Sequence, residues 1–135
     1  MEPLRPPRIF IVEDNLLYQQ LIARELQSLS GDIHFYTKGE NCLEDLDKDP
    51  SVIILDYNLD GLMNGLDTLQ EIRKYNPYIY VILFSNQKDL NTSENKQQYG
   101  SFNFVEKKEK SFRLLKQMID ATFSDLPGKK NSRIY

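Results

Sequence analysis

The chain has 135 residues with 40% hydrophobic and 27% charged side chains, so it is sized and composed as one globular domain with a core that needs no cross-link, not as a disordered or multi-domain chain. Its net charge of −3 divides into −6 over residues 1–127 (14 Lys and Arg against 20 acids) and +3 over the last eight (Lys129, Lys130, Arg133), and an acidic body is a poor partner for nucleic acid. A single cysteine, Cys42, and a single histidine, His34, exclude an internal disulfide, a cysteine-based zinc centre and any site built on a histidine pair.

Residues 1–7, with Pro3, Pro6 and Pro7, read as a leader. Short apolar runs then follow at residues 8–12, 32–36, 52–55, 79–84 and 102–105. Each is four to six residues long and rich in β-branched or aromatic types, which predicts strands. The first, third and fourth are apolar on consecutive positions, as strands buried on both sides of a parallel sheet read. Between them lie helical patterns. Residues 15–29 carry Leu17, Leu21, Ile22, Leu26 and Leu29 at helical spacing, with Asn15 placed to cap. Residues 39–47 carry Leu43 and Leu46; residues 65–74 carry Leu66, Leu69 and Ile72; residues 111–123 carry Phe112, Leu115, Ile119 and Phe123, with Ser111 as the cap. Residues 88–99 offer only Leu90 and Tyr99 as apolar groups, so a short or mobile element is predicted there. The alternation predicts an α/β doubly wound sheet with helices on both faces. The domain should close near residue 124, leaving 125–135 as a basic tail or the start of a linker. No apolar run approaches the ~18 residues of a membrane span, no signal-peptide core opens the chain, and the free cysteine suits a reducing compartment, so the expected location is the cytoplasm.

Ligands of an open parallel sheet bind beyond the carboxyl ends of its strands. Glu13 and Asp14 follow the first strand, Asp56 ends the third, Ser85 ends the fourth and Lys107 follows the fifth. Three carboxylates drawn together repel, and a divalent cation relieves them; an all-oxygen ligand set favours a hard ion such as Mg²⁺. With a lysine and a hydroxyl beside one carboxylate, the set suits phosphoryl transfer, with that carboxylate as nucleophile.

These residues, together with the segments Ile53–Gly61 and Gly100–Lys107, resemble the receiver domain of two-component response regulators over about residues 8–123. The resemblance implies a flavodoxin-like fold with strand order 2-1-3-4-5. It implies that Asp56 accepts a phosphoryl group from a phosphohistidine on a sensor histidine kinase or histidine phosphotransfer protein. Glu13, Asp14, Asp56 and the backbone carbonyl of Asn58 would hold Mg²⁺, Lys107 would pair with the phosphoryl oxygens, Ser85 would turn to bond them, and Phe104 would move into the space Ser85 leaves. The signal would pass by protein contact, to a downstream protein or an output domain outside this chain, through the fourth helix, fifth strand and fifth helix. That face is also where two copies would pair. No turnover enzyme, nucleic-acid or membrane role is implied.

Four features depart from the family pattern. Nine positions separate Asp56 from Gly65, one more than usual, and Asp60-Gly61 stands where a proline often does, which predicts a looser loop. Asn86 stands where a small residue is usual and could narrow access to the site, as Asn58 could from the other side. Lys108 replaces a proline that is usually on a cis bond, so the expectation is a trans peptide, or a strained cis one if the site demands it, and either way the placement of Lys107 becomes a question. The fourth helix is polar. Alternative readings are a degenerate receiver that signals without phosphorylation, and a haloacid-dehalogenase-type phosphatase; the latter needs a second Asp two residues after the nucleophile, where this chain has Asn58, and sets its nucleophile on the first strand. A flavodoxin would need a phosphate loop after the first strand, which is absent from the sequence. Cys42 reads as a small core residue, His34 as a strand residue beside solvent, and the tail cations as solvated.

Overall fold

The computed structural model describes residues 6–123, where strands and helices alternate: β1 (Arg8–Val12), α1 (Leu16–Leu26), β2 (Asp32–Tyr36), α2 (Gly39–Glu44), β3 (Val52–Leu55), α3 (Gly65–Tyr75), β4 (Tyr80–Ser85), α4 (Ser93–Tyr99), β5 (Asn103–Glu106) and α5 (Ser111–Thr122). Single 3₁₀ turns at Leu46–Lys48 and Lys88–Leu90 lead into β3 and α4. All strand pairs are parallel, in the order β2-β1-β3-β4-β5. Adjacent strand residues point to opposite sides of the sheet. Phe10, Val12, Ile53, Leu55, Val81 and Leu83 therefore pack with α2 and α3, while Ile9, Ile11, Val52, Ile54, Ile82 and Phe84 pack with α1 and α5. β1, β3 and β4 are buried on both sides, which is why they read as unbroken apolar runs.

The helices carry the caps that fix where the strands end. Asn15 accepts from the Tyr18 N–H at 3.1 Å, as its position predicts. Asn64 and Asp67 form a reciprocal capping box at the start of α3. Several expectations are corrected. Leu17, assigned to the buried stripe of α1, is 61% exposed, because the helix begins at Leu16 and its buried residues are Ile22 and Leu26. α1 stops at Leu26 rather than residue 29, and the second helix gives way to a 3₁₀ turn after Glu44. The cap of α5 is Lys110 without a side-chain bond; Ser111 is the first helical residue. The polar 88–99 segment forms a 3₁₀ turn and the seven-residue α4, capped by Thr92 and with no buried residue. Leu90 and Tyr99, its two apolar groups, are half-buried against the core. Cys42 is fully buried, and burial pushes its thiol up to about 12. His34 is half-buried on β2, 3.1 Å from the Asp32 carboxylate. The Lys107–Lys108 peptide is trans, since no cis bond occurs among the described residues. The end of the expected domain at residue 124, the tail 125–135 and residues 1–5 of the leader lie outside the described residues. No helix among the described residues is long and apolar enough to cross a membrane.

Candidate functional site

The register of three neighbouring strands brings the acidic residues together. Val12 pairs with Leu55 across β1 and β3, so the next residues, Glu13 and Asp56, leave the sheet side by side. The ladder runs one step further: the Glu13 N–H donates to the Tyr36 carbonyl at 2.8 Å, and the Asp56 N–H to the Val12 carbonyl at 3.0 Å. On the other side of β3, the Lys107 N–H donates to the Ser85 carbonyl at 2.9 Å, which carries that lysine to the same end of the sheet. The β3–α3 loop returns against the strand end so closely that a side chain on Gly65 would stand 2.2 Å from the Asp56 carbonyl oxygen; only glycine fits there.

Within this frame the charged groups meet. Lys107 Nζ lies 2.8 Å from Asp56 Oδ2 and 2.7 Å from Glu13 Oε1, and all three side chains are almost wholly buried. Asp56 Oδ1 accepts from the Tyr57 N–H at 2.7 Å. Glu13 Oε2 accepts from the Asn15 N–H at 3.1 Å, and Gln19 Nε2 donates to the Glu13 carbonyl. Glu13, Asp14 and Asp56 present carboxylate oxygens within 4.8 Å of one another. Asp14 is only half-buried and lines a cavity of about 200 Å³ with Asn58, Leu59 and Leu62 of the β3–α3 loop.

The crowding shows in the acidities. Burial lifts the Glu13 carboxyl to about 7, and the Asp56 charge adds to this against the opposing hydrogen bond and charge of Lys107. Burial, then the charges of Asp60 and Asp56, raises Asp14. For Lys107, burial works to lower the ammonium, but hydrogen bonds and charges from Asp56 and Glu13 outweigh it and the net shift is upward. One buried cation is therefore shared by two carboxylates, with a third close by. A site of oxygen donors short of positive charge fits a hard divalent cation such as Mg²⁺.

Lys107 has further support that its sequence context does not reveal. Its Nζ lies 4.2 Å from the centre of the Tyr18 ring and 5.7 Å from that of Phe84. Phe112 stacks on Tyr18 and meets Phe84 edge-on, which fixes both rings. So the lysine is held by two carboxylates and an aromatic cage although no proline follows it. Ser85 is fully buried, with Oγ accepting from the Gln87 N–H at 3.3 Å. Phe104 is half-buried on β5, against the α2–α3 side of the core. Asn58 and Asn86 are exposed. The structure thus brings Glu13, Asp14, Asp56 and Lys107 into one cluster, sets Ser85 one strand away, and leaves Phe104 outside it.

Residues 9–119 match the family model of the response regulator receiver domain. The chain belongs to that family. Among curated relatives of this receiver domain, it is 31% identical over 119 residues to a protein-glutamate methylesterase/protein-glutamine glutaminase of Clostridium acetobutylicum, covering 84% of the present chain and 34% of the relative. It is 27% identical over 100 residues to the DNA-binding transcriptional regulator NtrC of Escherichia coli, covering 73% of the chain and 21% of the relative. The chain thus spans about a third and a fifth of the length of these relatives. Among solved structures, the signal receiver domain of a LuxO repressor protein from Vibrio parahaemolyticus superposes with a TM-score of 0.75 at 25% identity over 98% of this chain and all of that one. The response regulator TrrA from Thermotoga maritima, in complex with Mg²⁺ and BeF, superposes with a TM-score of 0.72 at 23% identity, over 84% of this chain and 97% of that one. The five-stranded order of the receiver fold is shared, and it is the order expected from the sequence.

Sequence reasoning found every charged member of the cluster, because each is the first or second residue beyond a readable strand. It missed Tyr18, Phe84 and Phe112 as a cage and Gln19 as a support. Tyr18 lies in the first turn of α1, and its meeting with Lys107 depends on how α1 packs beside β5 and α5, which no local spacing shows.

Proposed function

We propose that this receiver domain is a phosphorylation-dependent signalling switch with Asp56 as the phosphoacceptor. The observation that carries this reading is the 2.8 Å contact between Lys107 Nζ and Asp56 Oδ2 inside a buried carboxylate cluster. Asp56 attacks the phosphorus of a phosphohistidine on a sensor kinase or phosphotransfer protein; a P–O bond forms, the P–N bond breaks, and the imidazole keeps the electron pair and takes up a proton. Lys107 stands where it can pair with the phosphoryl oxygens while remaining tied to Glu13. Glu13, Asp14, Asp56 and the Asn58 carbonyl would hold Mg²⁺, which when bound supplies the positive charge that the cluster lacks.

The Ser85 hydroxyl leaves the Gln87 N–H to bond the phosphoryl group, and Phe104 moves into the vacated space. The surface of α4, β5 and α5 then reports the state to a downstream protein, an output domain, or a second copy. α4 suits such a face: it is short, polar and has no buried residue, so it can be repositioned at small cost. The domain acts in the cytoplasm and turns over only its own phosphoryl group. Signalling without phosphorylation gains no support from the site, since the charged cluster is complete.

The test is to incubate the protein with Mg²⁺ and phosphoramidate or acetyl phosphate and weigh it intact. One phosphoryl group should be gained, and the gain should vanish in Asp56→Asn. No gain from any donor would favour the degenerate receiver, and steady turnover of a phosphomonoester would favour a phosphatase.

A further inference from the structure

The β3–α3 loop, residues 57–64, has one more residue than the family pattern and Asp60-Gly61 in place of proline, yet it is not free. Glu40, in the first turn of α2, reaches it. Its Oε2 accepts from the Leu62 N–H at 2.9 Å, and its Oε1 is buried there without a hydrogen-bond partner. The backbone of Asp60 forms a parallel bridge with Lys38, which caps α2. Gly61 has φ +89°, and a Cβ there would stand 2.9 Å from both Glu40 carboxylate oxygens. Only glycine both adopts that backbone and lets the carboxylate close on the loop. Asp60 and Leu62 are thus fastened to the start of α2, with Gly61 between them in close approach, and that start has no residue in the charged cluster.

The fastened loop is the one that carries Asn58. Asn58 and Leu62 line the same cavity of about 200 Å³ as Asp14. We infer that Glu40 is a positioning residue for the metal site: through Leu62 and Gly61 it holds the long loop, and with it Asn58, beside the carboxylate cluster, and so sets the affinity for Mg²⁺. The inference rests on the proposed metal site. The N–H groups of Leu62, of Glu40 itself and of Met63 hold the Glu40 carboxyl below the usual range, so the clamp stays ionised at neutral pH. Leu62 itself is 97% exposed, so the far end of the loop, residues 60–62, is held by these polar contacts, whereas Tyr57 and Leu59 at its near end pack against the core.

The test is a Mg²⁺ titration of the whole chain, read by calorimetry and by amide NMR at Asp14, Asn58 and Leu62, for wild type, Glu40→Gln and Glu40→Ala. Removing a partner that orients a metal ligand typically weakens affinity by about 10-fold or more. Glu40→Ala should show that loss, Glu40→Gln a smaller one, and the Leu62 amide proton should move upfield in both. The deficit in phosphorylation should close as Mg²⁺ saturates. If Glu40→Ala fails to fold, Gly61→Ala, which keeps Glu40 but forces the loop off it, should weaken Mg²⁺ equally. An unchanged Mg²⁺ affinity despite a shifted Leu62 amide would overturn the inference, as would a phosphorylation defect that no Mg²⁺ concentration repairs. If wild type binds Mg²⁺, Glu40→Ala binds it more weakly, and neither takes a phosphoryl group, the switch reading fails while the clamp stands.

Discussion

The two halves of the acidic cluster are built on opposite plans. On the Lys107 side, Glu13, Asp56 and the ammonium are packed out of water, bonded at 2.7 and 2.8 Å and roofed by aromatic rings. On the Asp14 side, a half-exposed carboxylate faces a cavity lined by a loop with an almost fully exposed leucine, whose far end is tied to α2 by the Glu40 carboxylate and the Lys38–Asp60 bridge. The buried half cannot lose its cation without leaving carboxylates stranded. The open half is where a ligand can enter and leave. The contrast places paired charge inside and an open carboxylate at the solvent side.

Substitutions of opposite sign give the sharpest break of this comparison. Lys107→Met leaves Glu13 and Asp56 buried without a counter-charge, and removing one member of a buried ion pair costs about 3–5 kcal/mol. Urea denaturation without Mg²⁺ should show a loss of that order, with Mg²⁺ restoring more stability to the variant than to wild type. Asp14→Asn should act the other way and stabilise the metal-free protein by a smaller amount, because it removes a carboxylate whose ionised form burial, Asp60 and Asp56 disfavour. Equal signs for the two would mean that the halves are not distinct.

The pH dependence should be next in size. Glu13 titrates near 7 when folded and near 4.5 when unfolded, so the folded state binds more protons between those values. Its contribution to stability is fully present below about 4.5 and is lost as pH rises through about 7. A metal that needs the ionised carboxylate competes with that proton in the folded protein, so Mg²⁺ affinity should fall by up to about tenfold per pH unit below 7. A flat profile from pH 5 to 8 would show that Lys107 keeps Glu13 ionised throughout.

The smallest effect is expected from the aromatic roof. A cation–π contact of this kind contributes about 0.5–2 kcal/mol. Tyr18→Phe should keep the rate of phosphorylation by phosphoramidate, whereas Tyr18→Leu should slow it several-fold, with folding intact by circular dichroism. Equal rates would mean that the two carboxylates and Phe84 fix Lys107 without Tyr18.

Much of this was legible because it is local. Strand ends are marked by the change from an apolar run to a polar or charged residue, and Glu13, Asp56 and Ser85 sit at such changes; Lys107 comes one residue after Glu106 ends β5. The N-cap at Asn15 is likewise a matter of a few neighbouring residues. The exposure of Leu17 was not legible, because periodicity gives the angle of a stripe but not where along it the neighbouring elements stop. Nor was the tethering of the long loop: the missing proline suggested slack, and Glu40 lies 22 residues from the amide it holds.

The sequence alone determined which residues arrive at the carboxyl end of the sheet and that they are oxygen donors with one lysine and one hydroxyl, since strand period and ligand chemistry are properties of residue type and spacing. Tertiary structure decided which of them touch. It gave Lys107 to both Glu13 and Asp56 and caged it with Tyr18, Phe84 and Phe112. It left Asp14 beside a cavity and set Glu40 beneath Gly61. Those pairings join residues on α1, α2, β4 and α5 to the loops after β1, β3 and β5, and the distance between their side chains depends on how the layers pack, a quantity that no window of sequence contains.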